Sequence, residues 1–185
     1  MNPRGLQGAI TYSRLKQQPP EIGWAAPPPG VFYKINIDGA TDGEGSPSSV
    51  GVVIRDCRDL VLSARSKLMH GSYGEEITEA FAVEEGILLA SEMELQQIII
   101  KSDSLMVVEA INTSSFHGDM GPIIQGILGL LSQLSSWKVK HLKRDYNRVA
   151  HELAQNAKAA GTSQRWRGME PPMLQQFLLV DRAKC

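Results

Sequence analysis

The chain reads as an α/β domain built on a mixed sheet, and two observations carry that expectation. Three β-rich runs, VFYKINID, SVGVVIRD and LVLSARSKL, follow one another with only turn-like segments between them, which implies an antiparallel meander. After them helical and strand-like runs alternate, beginning with EEITEAFAVEEGILLASEME and QIIIKSD. A helix between two strands is the crossover that lets the later strand join the sheet in parallel. The order expected is β-β-β-α-β-α-α-β-α.

Residues 1–30 carry Pro19, Pro20, Pro27, Pro28 and Pro29 among Gly and Gln, a composition that suits an extended, flexible lead-in. From residue 31 the period-2 pattern begins, and the domain is expected to run to residue 160. The stretch EEITEAFAVEEGILLASEME is rich in helix formers and places acids in its first turn, where they complement the helix dipole. QIIIKSD is a short β-branched strand, SLMVVEAIN a helix opened by a serine cap, and GPIIQGILGLLSQL a further helix. WKVKHLKRD reads as the fifth strand, and NRVAHELAQNAKAAG as a last helix ended by glycine. Residues 161–185 form a tail whose Trp, Pro pair and QQFLLV run could pack back onto the domain.

With 185 residues, 42% of them hydrophobic and 21% charged, the chain suits one globular domain with tails. No apolar run approaches the length of a membrane span, and the N-terminus lacks the apolar core of a secretory signal. Cys57 and Cys185 are the only cysteines, which fits a reducing intracellular compartment, nucleus or cytoplasm, better than a disulfide framework. A net charge of -1 provides no global attraction for nucleic acid, so any such binding rests on a local basic patch.

Three carboxylates fall at informative places. Asp38 closes the first strand, Asp103 closes the fourth, and Glu79 lies in the first long helix on a stripe with Ala82, Val83, Gly86 and Ala90. If the fourth strand pairs in parallel with the first, the two aspartates end side by side, where ligands of α/β sheets gather. A carboxylate on a face of small residues is costly to bury unpaired, and a divalent cation shared with two aspartates would offset that cost. Mg²⁺ selects oxygen ligands of this kind, and two such ions about 3.5–4 Å apart can serve an in-line phosphoryl displacement. Taken singly, Asp38-Gly39 is an ordinary turn pair, KSDS an ordinary helix cap and Glu79 a candidate for a salt bridge or the surface. Together, in this order of elements, they point to a site.

The segments KINIDGA, VGVVIRD, TEAFAVEEGILLA, IIIKSDSLMVVEAIN and RDYNRVAHELA resemble, in order and spacing, the ribonuclease H-like superfamily. The likeness is greatest to the type 1 ribonuclease H domains of the plant retroelement, reverse-transcriptase-associated group. It implies a five-stranded mixed sheet ordered 3-2-1-4-5 with helices on both faces. It also implies hydrolysis of the RNA strand of RNA–DNA hybrids with one or two Mg²⁺ ions, for which Mn²⁺ could substitute. Asp38, Glu79 and Asp103 fall on the family's first three acidic positions, as metal ligands and catalytic residues. Gly39 and Ala40 fall where backbone groups approach nucleic acid. In the bacterial enzymes a fourth aspartate stands in the last helix; here NRVAHELA has His151, and in this it resembles the plant group. His151 reads either as a ligand or proton shuttle or as a helix-surface histidine. Asp145, just before that helix, is a candidate substitute acid or a plain helix-start residue.

WKVKHLKRDYNR gathers Lys138, Lys140, Lys143, Arg144 and Arg148 near Trp137 and Tyr146. Lys143, Arg144 and Asn147 are the candidate nucleic-acid contacts, reading phosphates without sequence preference. The alternative is an edge strand guarded by lysines. The segment SSFHGDMGPIIQGILGLLSQL stands where bacterial members carry a basic, tryptophan-containing insertion, and it is almost without basic residues, so weak intrinsic affinity for hybrid is expected. The expected chain is therefore a monomeric hybrid nuclease, with a catalytically weak or inactive nucleic-acid-binding module of a retroelement-derived protein as the alternative.

Overall fold

The computed structural model describes residues 32–43, 45–116 and 118–182; the proline-rich lead-in lies outside the described residues. β1 (Tyr33–Ala40), β2 (Ser49–Arg55) and β3 (Val61–Leu68) form the meander, and α1 (Glu75–Ser91) crosses to β4 (Gln97–Ser102). Then come α2 (Leu105–Thr113), α3 (Gly121–Leu131), β5 (Ser136–His141) and α4 (Arg148–Ala160). A short β6 (Gln164–Arg167) and α5 (Gln175–Arg182) complete the described chain. Among the described residues no helix is long and apolar enough to cross a membrane.

The sheet is ordered β5-β4-β1-β2-β3-β6. β1 pairs antiparallel with β2 and parallel with β4, and β4 pairs parallel with β5, so the sheet is mixed as expected. The expectation of five strands is corrected to six. β6 adds antiparallel to the outer edge of β3, with Ala64 opposite Trp166 and Arg65 opposite Arg165. Its sequence, QRWR, is too short and too charged to show a period-2 signal; the open edge of β3 supplies the pairing that its own residues do not announce. Two arginines directly opposite would repel, and Glu92, the residue that caps the end of α1, accepts from both guanidinium groups.

Two cores flank the sheet. On one face Ile35, Ile37, Val52, Ile54, Ile98 and Ile100 pack against α1, α2 and α3. On the other, Val53, Ala64, Val149 and Leu153 pack with Leu174 and Leu178, so the tail after Gly161 helps to cover α4 and the sheet. The approach of α4 is close. A Cβ on Gly51 of β2 would stand 2.1 Å from the Ala150 carbonyl oxygen, so only glycine fits beneath the helix. Gly161, in the left-handed conformation, ends α4, and the Ser104 hydroxyl accepts the Val107 N–H to start α2.

Candidate active site

The functional side chains gather where β1 and β4, running parallel, present their carboxyl ends. β1 does not stop at Asp38 as its turn-like DG pair suggested; it continues through Gly39 and Ala40 because Asp38, Gly39 and Ala40 pair with Gly51, Val50 and Ser49. Asp38 therefore stands inside a strand paired with β2, two residues past the end of its pairing with β4 at Asn36. Asp103 follows the last residue of β4, and Glu79 rises from the first turns of α1. Ligand atoms of Asp38, Glu79 and Asp103 all lie within 4.8 Å of one another. Asp38 and Glu79 are buried, and Asp103 is half-buried.

Each carboxylate has its own support. The Gly39 N–H donates to Glu79 Oε1 at 3.0 Å, and the Ser102 hydroxyl lies 3.5 Å from Glu79 Oε2. Gly39 is needed here, since a Cβ would come within 2.9 Å of the Thr78 side chain and 3.1 Å of the Glu79 amide. Its N–H is thus committed to Glu79, and Ala40 is buried in the ladder opposite Ser49. Asp38 Oδ2 lies 2.9 Å from His151 Nδ1 on α4. The His151 ring is partly exposed, at 29% of its side chain, so this histidine belongs to the site and not to a remote helix surface.

Electrostatics show what the group lacks. Burial, with the charges of Glu79 and Asp103, pushes Asp38 up to about 9, while Arg144 pulls the other way. Burial and the charge of Asp103 push Glu79 up to about 8, against the hydrogen bond from Gly39. Three carboxylates at this spacing hold more negative charge than their neighbours neutralise. Hard oxygen donors without thiolate or a set of imidazoles match Mg²⁺ or Mn²⁺, so the residues fit a divalent cation.

The expected nucleic-acid residues divide. Lys143 and Arg144 are exposed on the turn between β5 and α4. A cleft of about 270 Å³ beside the triad is lined by Arg144, Asp145, Arg148, His151 and Glu152. Asp145 belongs to that wall and not to the carboxylate group. A larger groove of about 410 Å³, between the 41–48 loop and the C-terminal half of α4, includes no triad residue among its lining. Asn147, expected to face nucleic acid, is only 1% exposed and points its amide inward. Trp137 packs against the core on the α1 side, away from any base-stacking role, whereas Lys138 lies over the Phe32 ring at 5.4 Å. β5 is a sheet edge, which also agrees with the edge-guarding reading of its lysines. His141, which the sequence did not single out, places Nε2 3.1 Å from the Asp103 carbonyl oxygen.

With this geometry in place, comparison with known proteins gives a family. The family described as reverse transcriptase-like matches residues 36–157, well over half of the chain, from β1 to α4. The chain belongs to it. A candidate ribonuclease H protein of Arabidopsis thaliana is 29% identical over 149 residues, 80% of this chain; the chain spans 23% of that relative's length. Solved structures share the fold of this reverse transcriptase-like domain. The N-terminal RNase H domain of a Mycobacterium tuberculosis protein, solved as a maltose-binding-protein fusion, has a TM-score of 0.65 at 23% identity, covering 71% of this chain and 96% of that one. RNase H1 of the halophilic archaeon Halobacterium salinarum has a TM-score of 0.62 at 21% identity, covering 71% and 99%. An RNase H1 solved in complex with an RNA/DNA hybrid has a TM-score of 0.64 at 19% identity, covering 70% and 98%. The reverse transcriptase-like domain thus has a ribonuclease H-like fold, and its three carboxylates stand at the end of the sheet where parallel strands of such folds present ligands.

Proposed function

We propose that this domain hydrolyses the RNA strand of RNA–DNA hybrids with divalent cations, Mg²⁺ for preference and Mn²⁺ as a substitute, and that it derives from a plant retroelement protein. The observation that carries this reading is the convergence of Asp38, Glu79 and Asp103 within 4.8 Å at the end of two parallel strands. When bound, the cation supplies positive charge against the negative charge that develops as a phosphodiester is cleaved. The residues of the chain do the rest. Asp38, Glu79 and Asp103 would hold the ion, and Gly39 and Ser102 fix the direction of the Glu79 carboxylate.

In the reaction a water oxygen attacks phosphorus, the bond from phosphorus to the 3′ oxygen breaks, and that oxygen takes up a proton, leaving a 5′-phosphate and a 3′-hydroxyl. His151 is oriented through Nδ1 by Asp38, so Nε2 is the atom from which a proton can be taken or given at the mouth of the cleft. Arg144, Lys143 and Arg148 offer backbone phosphates positive charge without reading bases. The relative solved with an RNA/DNA hybrid supports the choice of substrate.

The test is cleavage of labelled RNA in a hybrid with Mg²⁺, comparing wild type with Asp38→Asn and Asp103→Asn. Cutting by wild type alone is expected. Equal cutting by all three, or none by any in Mg²⁺ or Mn²⁺, overturns the reading. One observation favours a second reading, a hybrid-binding module with little turnover: His151 adds no negative charge to the group, which weakens retention of two dications. Hybrid binding without cleavage in the same assay would select it.

A further inference from the structure

Asn147 stands at the N-terminal end of α4, where an asparagine side chain ordinarily accepts a hydrogen bond from its own helix. It makes no such cap. Its Nδ2 instead donates to the Ile37 carbonyl at 2.7 Å and lies 3.3 Å from Asp103 Oδ1 as a second, longer donation. Its Oδ1 accepts from Asn36 Nδ2 at 3.1 Å. The backbone is engaged as well: the Asn147 carbonyl accepts the His151 N–H at 3.1 Å, and the Asn147 N–H donates to the Arg144 carbonyl at 2.8 Å. With 1% exposure, this amide cannot exchange those partners for water.

One side chain thus joins the peptide unit that precedes Asp38, the carboxylate of Asp103 and the first turn of the helix that carries His151. These groups come from β1, the end of β4 and α4, which are joined at this point by no direct backbone pairing beyond Asn36 opposite Lys101. The helix forgoes a side-chain cap, and what replaces it is geometry at the acidic group. We propose that Asn147 is a positioning residue, which holds the Asp103 carboxylate in register with Asp38 so that the two close on one divalent cation. It acts through Asp103 and not by touching nucleic acid. The proposal rests on the metal-dependent reading of the site.

Its consequences follow from the donor. A carboxylate oxygen that accepts from a fixed amide keeps one orientation, leaving its other lone pairs for the ion; without the amide the side chain rotates and the ion loses a ligand for part of the time. Such outer partners typically carry 10- to 100-fold in metal affinity or activity. The neighbouring Asn36 bonds only to the far side of the Asn147 amide, so its loss should matter much less.

The experiment measures Mn²⁺ and Mg²⁺ affinity of the full chain by calorimetry, together with kcat and KM on hybrid and thermal stability, for wild type, Asn147→Ala, Asn147→Ser and Asn36→Ala. The serine variant keeps a helix-capping hydroxyl too short to reach Asp103 and serves if the alanine variant does not fold. Expected is a loss of ion affinity of about tenfold or more in both Asn147 variants, with a matching fall in kcat at saturating hybrid and low ion, recovery at high ion, KM little changed and Asn36→Ala near wild type. Unchanged ion affinity with lowered stability would show a merely structural role and overturn the proposal. A raised KM with unchanged ion affinity would show a nucleic-acid contact and overturn it as well. Ion affinities that differ as expected in a wild type that cuts nothing would sink the nuclease reading and leave the positioning role standing; a wild type that binds no ion sinks both.

Discussion

Asp38 Oδ2 and His151 Nδ1 meet at 2.9 Å across 113 residues of sequence, tying the central strand β1 to α4. The contact gives Asp38 two duties, one toward a cation and one toward an imidazole. A histidine here leaves the charge of the site to three carboxylates. Replacing His151 by Asp should therefore tighten divalent-ion binding, and lower the ion concentration needed for half-maximal cutting, by about three- to tenfold. His151→Ala should reduce kcat by about 100-fold or more while leaving ion affinity within about twofold. Ion titrations and single-substrate kinetics on hybrid check both; equal kinetics for wild type and His151→Ala would remove the proton role.

The crowding of Asp38 and Glu79 makes stability depend on pH. Their folded values, about 9 and about 8, lie above those of free carboxyls, so between about pH 4 and pH 9 the folded, metal-free chain holds protons that the unfolded chain has released. The stability contributed by these groups is full below pH 4 and is lost as pH rises through 8 and 9. In EDTA, wild type should lose stability from pH 5.5 to 9 more steeply than Asp38→Asn, and Mg²⁺ at pH 8 should restore it. Denaturant titrations across that range measure the difference; a wild-type-to-variant gap independent of pH would contradict it.

Gly51 lets α4 rest on the sheet. Gly51→Ala places a methyl 2.1 Å from the Ala150 carbonyl oxygen and 2.5 Å from the Ala154 amide, both backbone, so the helix itself must move. A loss of about 2–4 kcal/mol is expected, with weakened activity because His151 and Asn147 ride on that helix. Thermal melts and hybrid cleavage at a temperature where the variant is folded separate the two effects.

The tail is part of the second core. Leu174 is fully buried against Val53, Val61 and Leu153, so Leu174→Ala should cost about 2–4 kcal/mol while leaving ion affinity unchanged in the folded fraction. The exposed pairs of Glu92 with Arg65 and Arg165 should be worth far less, and Glu92→Ala should shift stability by under about 1 kcal/mol. A larger loss from Glu92 than from Leu174 would reverse this ranking.

Binding to hybrid should be weak and sensitive to salt. Lys143 and Arg144 are exposed beside the cleft, so replacing either by Ala should weaken binding about equally for all sequences and reduce the slope of log affinity against log salt by about one. Fluorescence anisotropy at several salt concentrations provides the slope. Tight binding that ignores salt would contradict the expectation.

Much of the fold was legible because its signals are local. Period-2 runs marked β1 to β5, and the Ser104 cap and the glycine after α4 marked helix ends. The three acids could be picked out because each interrupts an otherwise apolar or small-residue context. The burial of the polar face of β1 has no local signal: Lys34, Asn36 and Asp38 are all buried because β1 is central and α4 covers that face. Lys34 accordingly pairs with Asp59 at 3.5 Å and is pushed down to about 8, chiefly by burial.

By itself the sequence determined the order of elements, the sheet's mixed character and the identity of the three carboxylates, since periodicity, capping and residue type are written in neighbouring positions. Only the tertiary structure decided that β6 extends the sheet, that Asn147 turns inward from its helix to hold Asp103, and that His151 closes on Asp38. Each of those depends on which distant surface a short polar segment meets, and hydrogen-bond partners more than a hundred residues apart leave no periodic trace in the chain.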